Sequence, residues 1–113
     1  MVPSTETVLT WLAAVNAGDT EEVLSHTAPE VMIVGPRGTA HGREVLRSWL
    51  GHSGATFTTR AVYGHGNAVV VTQRGVWRDT ATGKVSGEAE VVTRFLVSGS
   101  QVVGSLYSVA VSL

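Results

Sequence analysis

The first half of the chain carries apolar residues at helical spacing. Between residues 4 and 17 they recur at the i, i+3, i+4, i+7 positions of an amphipathic helix. They are Val8, Trp11, Leu12 and Val15. Ser4 or Thr5 is predicted to cap this helix, and Gly18 suits the position just past its end. The pattern therefore predicts a helix over 4–17 that buries one face.

A second, shorter helix is predicted over residues 20–26. Asp19 can cap it, and Glu22, three residues further on, can complete a capping box. Pro29 is predicted to close this helical segment, because proline cannot continue a helix. The β-rich run at 30–34 then predicts the first strand.

A third helix is predicted over residues 43–50, where four apolar residues form a stripe that ends before Gly51. The stripe consists of Val45, Leu46, Trp49 and Leu50. The preceding segment, GPRGTAHGRE at 35–44, is predicted to connect the first strand to this helix. It lacks the lysine and Ser/Thr of a P-loop, and its glycines miss the dinucleotide-binding spacing. Arg37 and Arg43 could still meet an anion near the start of the third helix.

From Gly54 onward the chain is rich in valine, threonine and aromatic residues, which favours strands. Four such runs are separated by hairpin-type turns. They cover residues 56–64, 67–77, 86–97 and 101–113. The predicted order is α-α-β-α-β-β-β-β in a single domain over 1–113. Helices followed by a meander predict an α+β fold, with helices on one face of an antiparallel sheet.

Composition narrows the classes of function. The chain has 43% hydrophobic and 15% charged residues and a formal net charge of −1, which excludes disorder. No basic face is concentrated enough for nucleic acid or a membrane surface, so neither partner is expected. Without cysteine, disulfides and thiolate chemistry are excluded. No apolar run reaches the length of a membrane span and no basic signal-peptide start is present, so we expect a cytoplasmic protein.

Three local motifs occur in a recognisable order along the chain. They are the helix junction VNAGDTEEV (15–23), the loop GPRGTAHGRE (35–44) and the hairpin from VVVTQRGVW (69–77) to VVTRF (91–95). With the order of elements, they resemble the nuclear transport factor 2-like superfamily, in particular its small bacterial SnoaL-like and ketosteroid-isomerase-like proteins. The resemblance covers essentially the whole chain. It implies a cone-shaped α+β barrel, in which a curved antiparallel sheet wraps around N-terminal helices and a pocket, and a homodimer through the outer sheet face.

The same resemblance implies no single activity, because this fold hosts isomerases, cyclases, hydrolases and non-catalytic binders. In ketosteroid isomerase an aspartate moves the proton while a tyrosine and a protonated aspartate hold the oxyanion. The resemblance places Trp11 at the tyrosine, Gly35 at the base and Val91 at the protonated aspartate. The indole N–H of Trp11 can donate one hydrogen bond but is no acid at neutral pH. Ketosteroid isomerase chemistry is therefore not expected.

Other enzymatic hypotheses require a carboxylate inside the pocket. The two aspartates, Asp19 and Asp79, belong to a helix junction and a hairpin tip. Glu88 and Glu90 are the strand carboxylates that remain. Strand alternation puts Arg74 opposite Glu90 on the outer face, where a cross-strand ion pair is expected, and the bulky apolar residues on the inner face. A register shift of one residue would reverse this assignment.

The predicted pocket is mainly apolar and aromatic. Its predicted ligand-binding residues are Trp11, Gly35, Phe57, Gln73, Trp77, Val91 and Tyr107. Trp49 and Phe95 are further candidate walls for which ordinary core is the preferred interpretation. Gln73 has two open interpretations: its amide satisfies a hydrogen bond of the core, or it presents a donor and an acceptor to a ligand.

The four histidines suggest little chemistry. His26, near the end of the second helix, is the one placed to act as a general base. His41 is expected to be structural at the start of the third helix, and His52 and His65 to lie in solvated turns. No two histidines share metal-ligand spacing within one element, so neither a metal nor a cofactor is expected.

Three functions follow from these observations. The first is a small-molecule-binding protein with a mainly apolar, aromatic-lined pocket. The second is a SnoaL-like isomerase, cyclase or hydrolase acting on a hydrophobic polyketide-, steroid- or terpene-like substrate, using His26, Tyr107, Gln73 or a strand glutamate. The third is a non-catalytic dimerisation module whose interior is filled by its own side chains.

Overall fold

A computed structural model describes residues 3–35, 38–52 and 54–109 of the chain. Arg37 and the predicted strand end at 110–113 lie outside these described residues. Three helices and six strands are present in the described part. They are α1 (Pro3–Ala17), α2 (Thr20–Ser25), β1 (Thr27–Gly35), β2 (Gly38–His41), α3 (Arg43–His52), β3 (Ala55–His65), β4 (Ala68–Arg78), β5 (Val85–Ser98) and β6 (Gln101–Val109).

Helix α1 begins one residue earlier than the sequence predicted. Pro3 is already helical, so Ser4 and Thr5 lie in the first turn and the prediction that either caps the helix was wrong. Proline suits a first turn because its fixed φ is helical and its missing N–H would have no partner there.

The junction between α1 and α2 follows its capping signals. Gly18 has a φ of 70° and donates its N–H to Val15 O at 3.0 Å, while Asp19 donates its N–H to Ala14 O at 3.0 Å. These two bonds form a Schellman motif, which glycine favours because it adopts the left-handed conformation freely. Asp19 Oδ1 then accepts from the N–H of Glu22 at 3.2 Å, so the predicted cap of α2 is confirmed.

Two predictions around β1 were wrong. Pro29 does not close a helical segment but lies within β1, where the pairing with β6 is irregular between Thr27 and Met32. Proline is tolerated there because a ladder hydrogen bond is already missing at such an irregularity. The segment 35–44 is also more than a connection, because it contains the short edge strand β2, in which His41 pairs with Met32.

Helix α3 differs from its prediction in length and in packing. It continues through Gly51 to His52 instead of ending before the glycine. Leu46 is 1% exposed, whereas Val45 and Trp49 are 43% and 39% exposed. The helix therefore buries a narrower stripe than predicted, and Trp49 belongs neither to the core nor to a buried pocket wall.

The six strands form one open sheet in the order β2-β1-β6-β5-β4-β3. Neighbouring strands are antiparallel except for β1 and β6, which run parallel. Helix α1 packs against the concave face, where Trp11 meets Phe95 edge-on with ring centroids 5.5 Å apart. Phe95 is 1% exposed, as expected for core. The predicted α+β fold, with a curved sheet around N-terminal helices, is confirmed.

The register between β4 and β5 also agrees with the prediction. Arg74 pairs with Glu90, and Gln73 pairs with Val91. Every second residue of β4 is buried from Val69 to Gly75, which assigns Gln73 to the concave face and Arg74 to the outer face.

Candidate functional site

The concave face is closed at one end of the sheet and open at the other. Inward residues are buried from Val69 and Val97 as far as Gly75 and Val91. Beyond them, the inward positions of β4 and β5 are half-buried. These positions, Trp77, Gly87 and Ala89, are called the open end. A molecule that reaches the concave face meets them first.

Two aromatic rings lie at the open end. Phe57 and Trp77 pack edge-on with ring centroids 6.1 Å apart. Gly75 lies beneath them, because a Cβ added there would be 2.7 Å from Trp77 Cη2 and 3.3 Å from Phe57 Cε1. The indole therefore folds back over Gly75 into space that a larger residue would fill. Phe57, Gly75 and Trp77 are called the aromatic shelf.

The shelf is fixed from the side of α1. Strand β3 is an edge of the sheet, and the Asn16 side chain supplies hydrogen bonds that a further strand would supply. Asn16 Nδ2 donates to Phe57 O at 2.8 Å, and Asn16 Oδ1 accepts from Phe57 N at 2.8 Å. The backbone that carries one shelf ring is thus tied directly to α1.

Gln73 lies next to the shelf and is 2% exposed. Its Nε2 donates to Thr93 Oγ1 at 3.2 Å, a diagonal cross-strand contact. Its Oε1 is buried and has no hydrogen-bond partner among the described residues. A buried acceptor left unpaired costs about 1–3 kcal/mol. The amide nitrogen of Gln73 is therefore paired within the core, whereas its oxygen can accept a hydrogen bond from another group.

Trp11, in contrast, uses its polar group within the fold. Its Nε1 donates to Thr27 Oγ1 at 3.0 Å, and the same hydroxyl donates to Val23 O at 2.6 Å. The carbonyl oxygen of Thr27 accepts from Arg43 Nε at 2.9 Å and from Nη2 at 2.6 Å. Thr27 thus joins α1, α2, β1 and α3, and the guanidinium of Arg43, a candidate anion ligand, is directed to this backbone carbonyl.

The strand carboxylates lie on the outer face, as predicted. Glu90 accepts from Arg60 Nε and Nη2 at 3.1 Å each and from Arg74 Nη1 at 3.3 Å, and Arg74 Nη2 also donates to Glu88 at 2.9 Å. The hydrogen bonds from Arg60, followed by those from Arg74, hold the pKa of Glu90 below its ordinary value. Glu90 is therefore a stable anion in an ion-pair network outside the cone.

His26 lies away from the open end. Its Nε2 is 2.9 Å from Glu22 Oε1, and its side chain is 29% exposed. Its carbonyl accepts from the N–H of Val102, which pairs with Val97 at the closed end. This placement does not suit a general base for a molecule held on the shelf. His41 and His65 are exposed.

The remaining predicted ligand-binding residues, Val91, Gly35 and Tyr107, lie in three different settings. Val91 is 1% exposed and faces inward beside Gln73. Gly35 ends β1 and pairs with Gly38. Tyr107 pairs with Thr93, an inward register position, although its side chain lies outside the described part of the structure. Sequence reasoning did not single out Gly75 and Thr93, although the alternation of Gln73 with Trp77 places Gly75 between them on the same face.

A cleft of about 330 Å³ lies between the α1–α2 junction, the end of α3 and the β4–β5 hairpin. None of the seven predicted ligand-binding residues lines it. Its rim includes Asp19, Arg78 and Asp79. Asp79 Oδ1 accepts from the N–H groups of Ala81 and Thr82 at 2.8 and 3.0 Å, and these bonds lower its pKa. Both aspartates therefore cap local backbone, and the pKa of Asp79 is lowered rather than raised as a general acid would require.

Neither a metal-binding cluster nor a membrane-spanning helix occurs in the described residues. Within 3–35, 38–52 and 54–109, no three His, Asp or Glu side chains are grouped so that they could hold a metal ion. No helix in the same ranges is long and apolar enough to cross a membrane.

The protein thus has a small α+β fold, in which α1 crosses the concave face of a curved sheet and the buried polar side chains are neutral in the described residues. Residues 8–104 match the SnoaL-like domain family, so the chain belongs to that family and to the nuclear transport factor 2-like superfamily. No curated protein matches the sequence significantly.

Solved structures show the same fold. An NTF2-like protein of unknown function from Cytophaga hutchinsonii is 13% identical, with a TM-score of 0.83 over 97% of this chain and 92% of that chain. TerC, co-crystallised with polyporic acid, is 20% identical, with a TM-score of 0.82 over 96% and 92%. An LEH-like epoxide hydrolase from M. tuberculosis is 13% identical, with a TM-score of 0.84 over 96% and 83%. At these identities the likeness concerns the fold alone.

Proposed function

We propose that this protein binds a small, uncharged and mainly apolar molecule at the open end of its concave face. One observation carries the proposal: every buried polar side chain in the described residues is neutral. These side chains are Ser4, Thr7, Thr27, Gln73 and Thr93. An inner surface of this kind stabilises an apolar molecule and offers a few fixed hydrogen bonds, which is typical of a binding site.

The same observation argues against acid–base catalysis as the main function. A general acid or base has to reach the reacting group and usually has a shifted pKa. Asp79 and Glu90, whose pKa values are shifted, lie in a hairpin and on the outer face. Their pKa values are lowered by hydrogen bonds, which suits permanent anions rather than proton carriers.

The aromatic shelf favours a flat molecule. A ring lying against Trp77 and Phe57 gains stacking and apolar contact, and Ala89 opposite Gly75 adds little bulk. Structures of the same fold support a small organic molecule as the occupant: TerC was crystallised with polyporic acid, and another relative is an epoxide hydrolase. The ligand class we propose is a hydrophobic polyketide-, steroid- or terpene-like molecule.

Tryptophan fluorescence tests this proposal. Steroids, polyketides and terpenes are titrated into the wild type and into Trp77→Phe, with Trp49→Phe as the matched control on the exposed side of α3. We expect at least one compound to change the emission of the wild type and of Trp49→Phe, and to have a much smaller effect on Trp77→Phe. No response to any compound, or an equal response in all three proteins, would contradict the proposal.

A SnoaL-like enzyme is the second candidate function, and the inward register position of Tyr107 favours it. A tyrosine supplies a phenol, which can donate a hydrogen bond to a developing oxyanion. Turnover of any compound that binds, abolished in Tyr107→Phe with binding retained, would establish this function instead of simple binding.

We also propose a homodimer through the outer sheet face, where Met32, Tyr63 and Leu96 are 39%, 63% and 41% exposed. The outer face also carries charges of both signs at Arg60, Arg74, Glu88 and Glu90, so that two copies could pair the same surface with itself. Sedimentation of Leu96→Glu should show a loss of dimer, while Val45→Glu on α3 should not. A monomeric wild type would refute this interface, and with it the dimerisation-module alternative.

A further inference from the structure

We propose that Gln73 Oε1 accepts a hydrogen bond from a neutral hydroxyl group of the bound molecule. The ligand would then be an apolar alcohol or phenol rather than a pure hydrocarbon or an ion. This inference rests on the proposed binding function and adds the chemical group that the site recognises.

The unpaired oxygen is the first step of the argument. Gln73 is 2% exposed, its nitrogen donates to Thr93, and its oxygen has no partner among the described residues. Buried polar groups in folded proteins are nearly always paired, so an unpaired one indicates a missing partner. A carbonyl oxygen can only accept, so that partner has to be a donor.

The surroundings of Gln73 limit where the donor comes from. Along the inner face of β4 its neighbours are Val71 and Gly75, and in the sheet it pairs with Val91 on one side and Thr59 on the other. Val71, Gly75 and Val91 carry no side-chain donor, and Thr59, which has a hydroxyl group, is exposed and makes no hydrogen bond to Gln73 Oε1. Thr93 already receives the amide nitrogen of Gln73. None of the described side chains donates to Gln73 Oε1, and we assign the donor to a molecule that enters the concave face.

The absence of buried charge in the described residues sets the chemical class of the donor. An ammonium group on this face would lose its water without gaining a buried carboxylate, because all buried polar side chains here are neutral. Such an uncompensated ion is far more costly to bury than a neutral group. A hydroxyl group avoids this cost and still supplies the hydrogen that Gln73 Oε1 lacks.

The shelf lies between the open end and Gln73. Gly75 and Trp77 follow Gln73 at every second position of β4, a rise of about 6.8 Å per step along the strand. Gly75 contributes no side chain, and the indole of Trp77 covers it. A two-ring aromatic molecule that displaces the indole from Gly75 would therefore point one substituent toward Gln73.

A matched pair of probes tests the inference. Isothermal titration calorimetry measures 2-naphthol and 2-methoxynaphthalene, which differ in the hydroxyl donor, against the wild type, Gln73→Met and Gln101→Met. Gln101 is the other glutamine and lies at the start of β6, at the closed end. Methionine keeps the length of glutamine and removes the acceptor, so Gln73→Met should fold.

We expect the wild type and Gln101→Met to bind 2-naphthol about tenfold more tightly than its methyl ether, which corresponds to about one well-placed hydrogen bond. Gln73→Met should bind both probes alike, at the affinity of the ether. Equal binding of both probes to the wild type, or a preference retained in Gln73→Met, would overturn the inference but leave the proposed function intact. Failure of both probes to bind would count against both proposals.

A second measurement does not depend on affinity. In the nuclear magnetic resonance spectrum, the side-chain amide signals of Gln73 should shift with 2-naphthol and remain in place with the ether, while those of Gln101 stay fixed. A crystal structure with bound 2-naphthol shows directly which group lies next to Gln73 Oε1. An ordered water on Gln73 Oε1, with the hydroxyl directed elsewhere, would mean that an internal water alone satisfies this oxygen.

Discussion

The Thr27 hydroxyl offers the sharpest test of how the fold is held together. Thr27→Val removes the oxygen but keeps the shape of a fully buried side chain. Trp11 Nε1 then loses its acceptor, while Val23 O loses one donor and keeps the N–H of His26 at 3.2 Å. The indole N–H is therefore the group left buried and unpaired.

The expected cost follows from these two contacts. Leaving the buried indole N–H of Trp11 without an acceptor costs about 1–3 kcal/mol of stability, and the lost hydrogen bond to Val23 O adds about 1 kcal/mol. Thr27→Val should therefore destabilise the protein by about 2–4 kcal/mol. Thr27→Ser is the matched control, because it keeps the hydroxyl and removes one buried methyl, which costs about 1 kcal/mol.

Urea denaturation followed by circular dichroism measures both variants, and their melting temperatures should fall in the same order. Trp11→Phe removes the indole N–H, so in the double variant Thr27→Val should cost less than it does alone. This coupling should be about 1 kcal/mol or more. If Thr27→Ser cost more than Thr27→Val, packing rather than hydrogen bonding would explain the site, and the reasoning would be refuted.

Two further predictions concern the hairpin and the outer face. Gly54→Ala should destabilise by about 3 kcal/mol, because φ is +56° and its Cβ would overlap the carbonyl oxygen of Arg78, whereas Gly83→Ala, at φ +75° in open space, should cost about 1 kcal/mol by denaturation. An equal loss of stability in Gly54→Ala and Gly83→Ala would contradict the close approach of Gly54 to the carbonyl group of Arg78. Arg60→Gln should raise the pKa of Glu90 toward its ordinary 4.5, as followed by carboxyl carbon resonances. Because the pKa of Glu90 is lowered in the folded state, its ion pair with Arg60 stabilises the folded protein above about pH 4.5, and this stabilisation is lost on acidification through the folded pKa. The wild type and Arg60→Gln should therefore converge in stability in acid. An unchanged titration midpoint of Glu90 in Arg60→Gln would contradict the role of Arg60.

Alternation of side chains explains why so much of the sheet was predictable. The period of two in β4 and β5 places bulky apolar residues on one face, and only one register buries them together, so that Arg74 had to meet Glu90. The inward position of Gln73 follows from the same pattern. Its unpaired oxygen does not, because that depends on the exact approach of Thr93 from the next strand.

The errors occur where tertiary contacts decide local structure. Strand β2 has four residues and forms because β1 lies beside it, which no local propensity indicates. Helix α3 has apolar residues on two sides, and its packing selects Leu46 while Val45 and Trp49 remain exposed. The cleft is formed by segments far apart in sequence, so periodicity gave no indication of its lining.

Side-chain resonances during a titration with 2-naphthol test the binding function most directly. The proposal predicts shifts in the indole N–H of Trp77, the methyl of Ala89 and the methyls of Val91, all inward positions. The resonances of Val76 and Arg74, outward residues that alternate with the inward positions along β4, should change little. Shifts confined to the outer face, or no saturable shift in any inward residue, would contradict binding on the concave face.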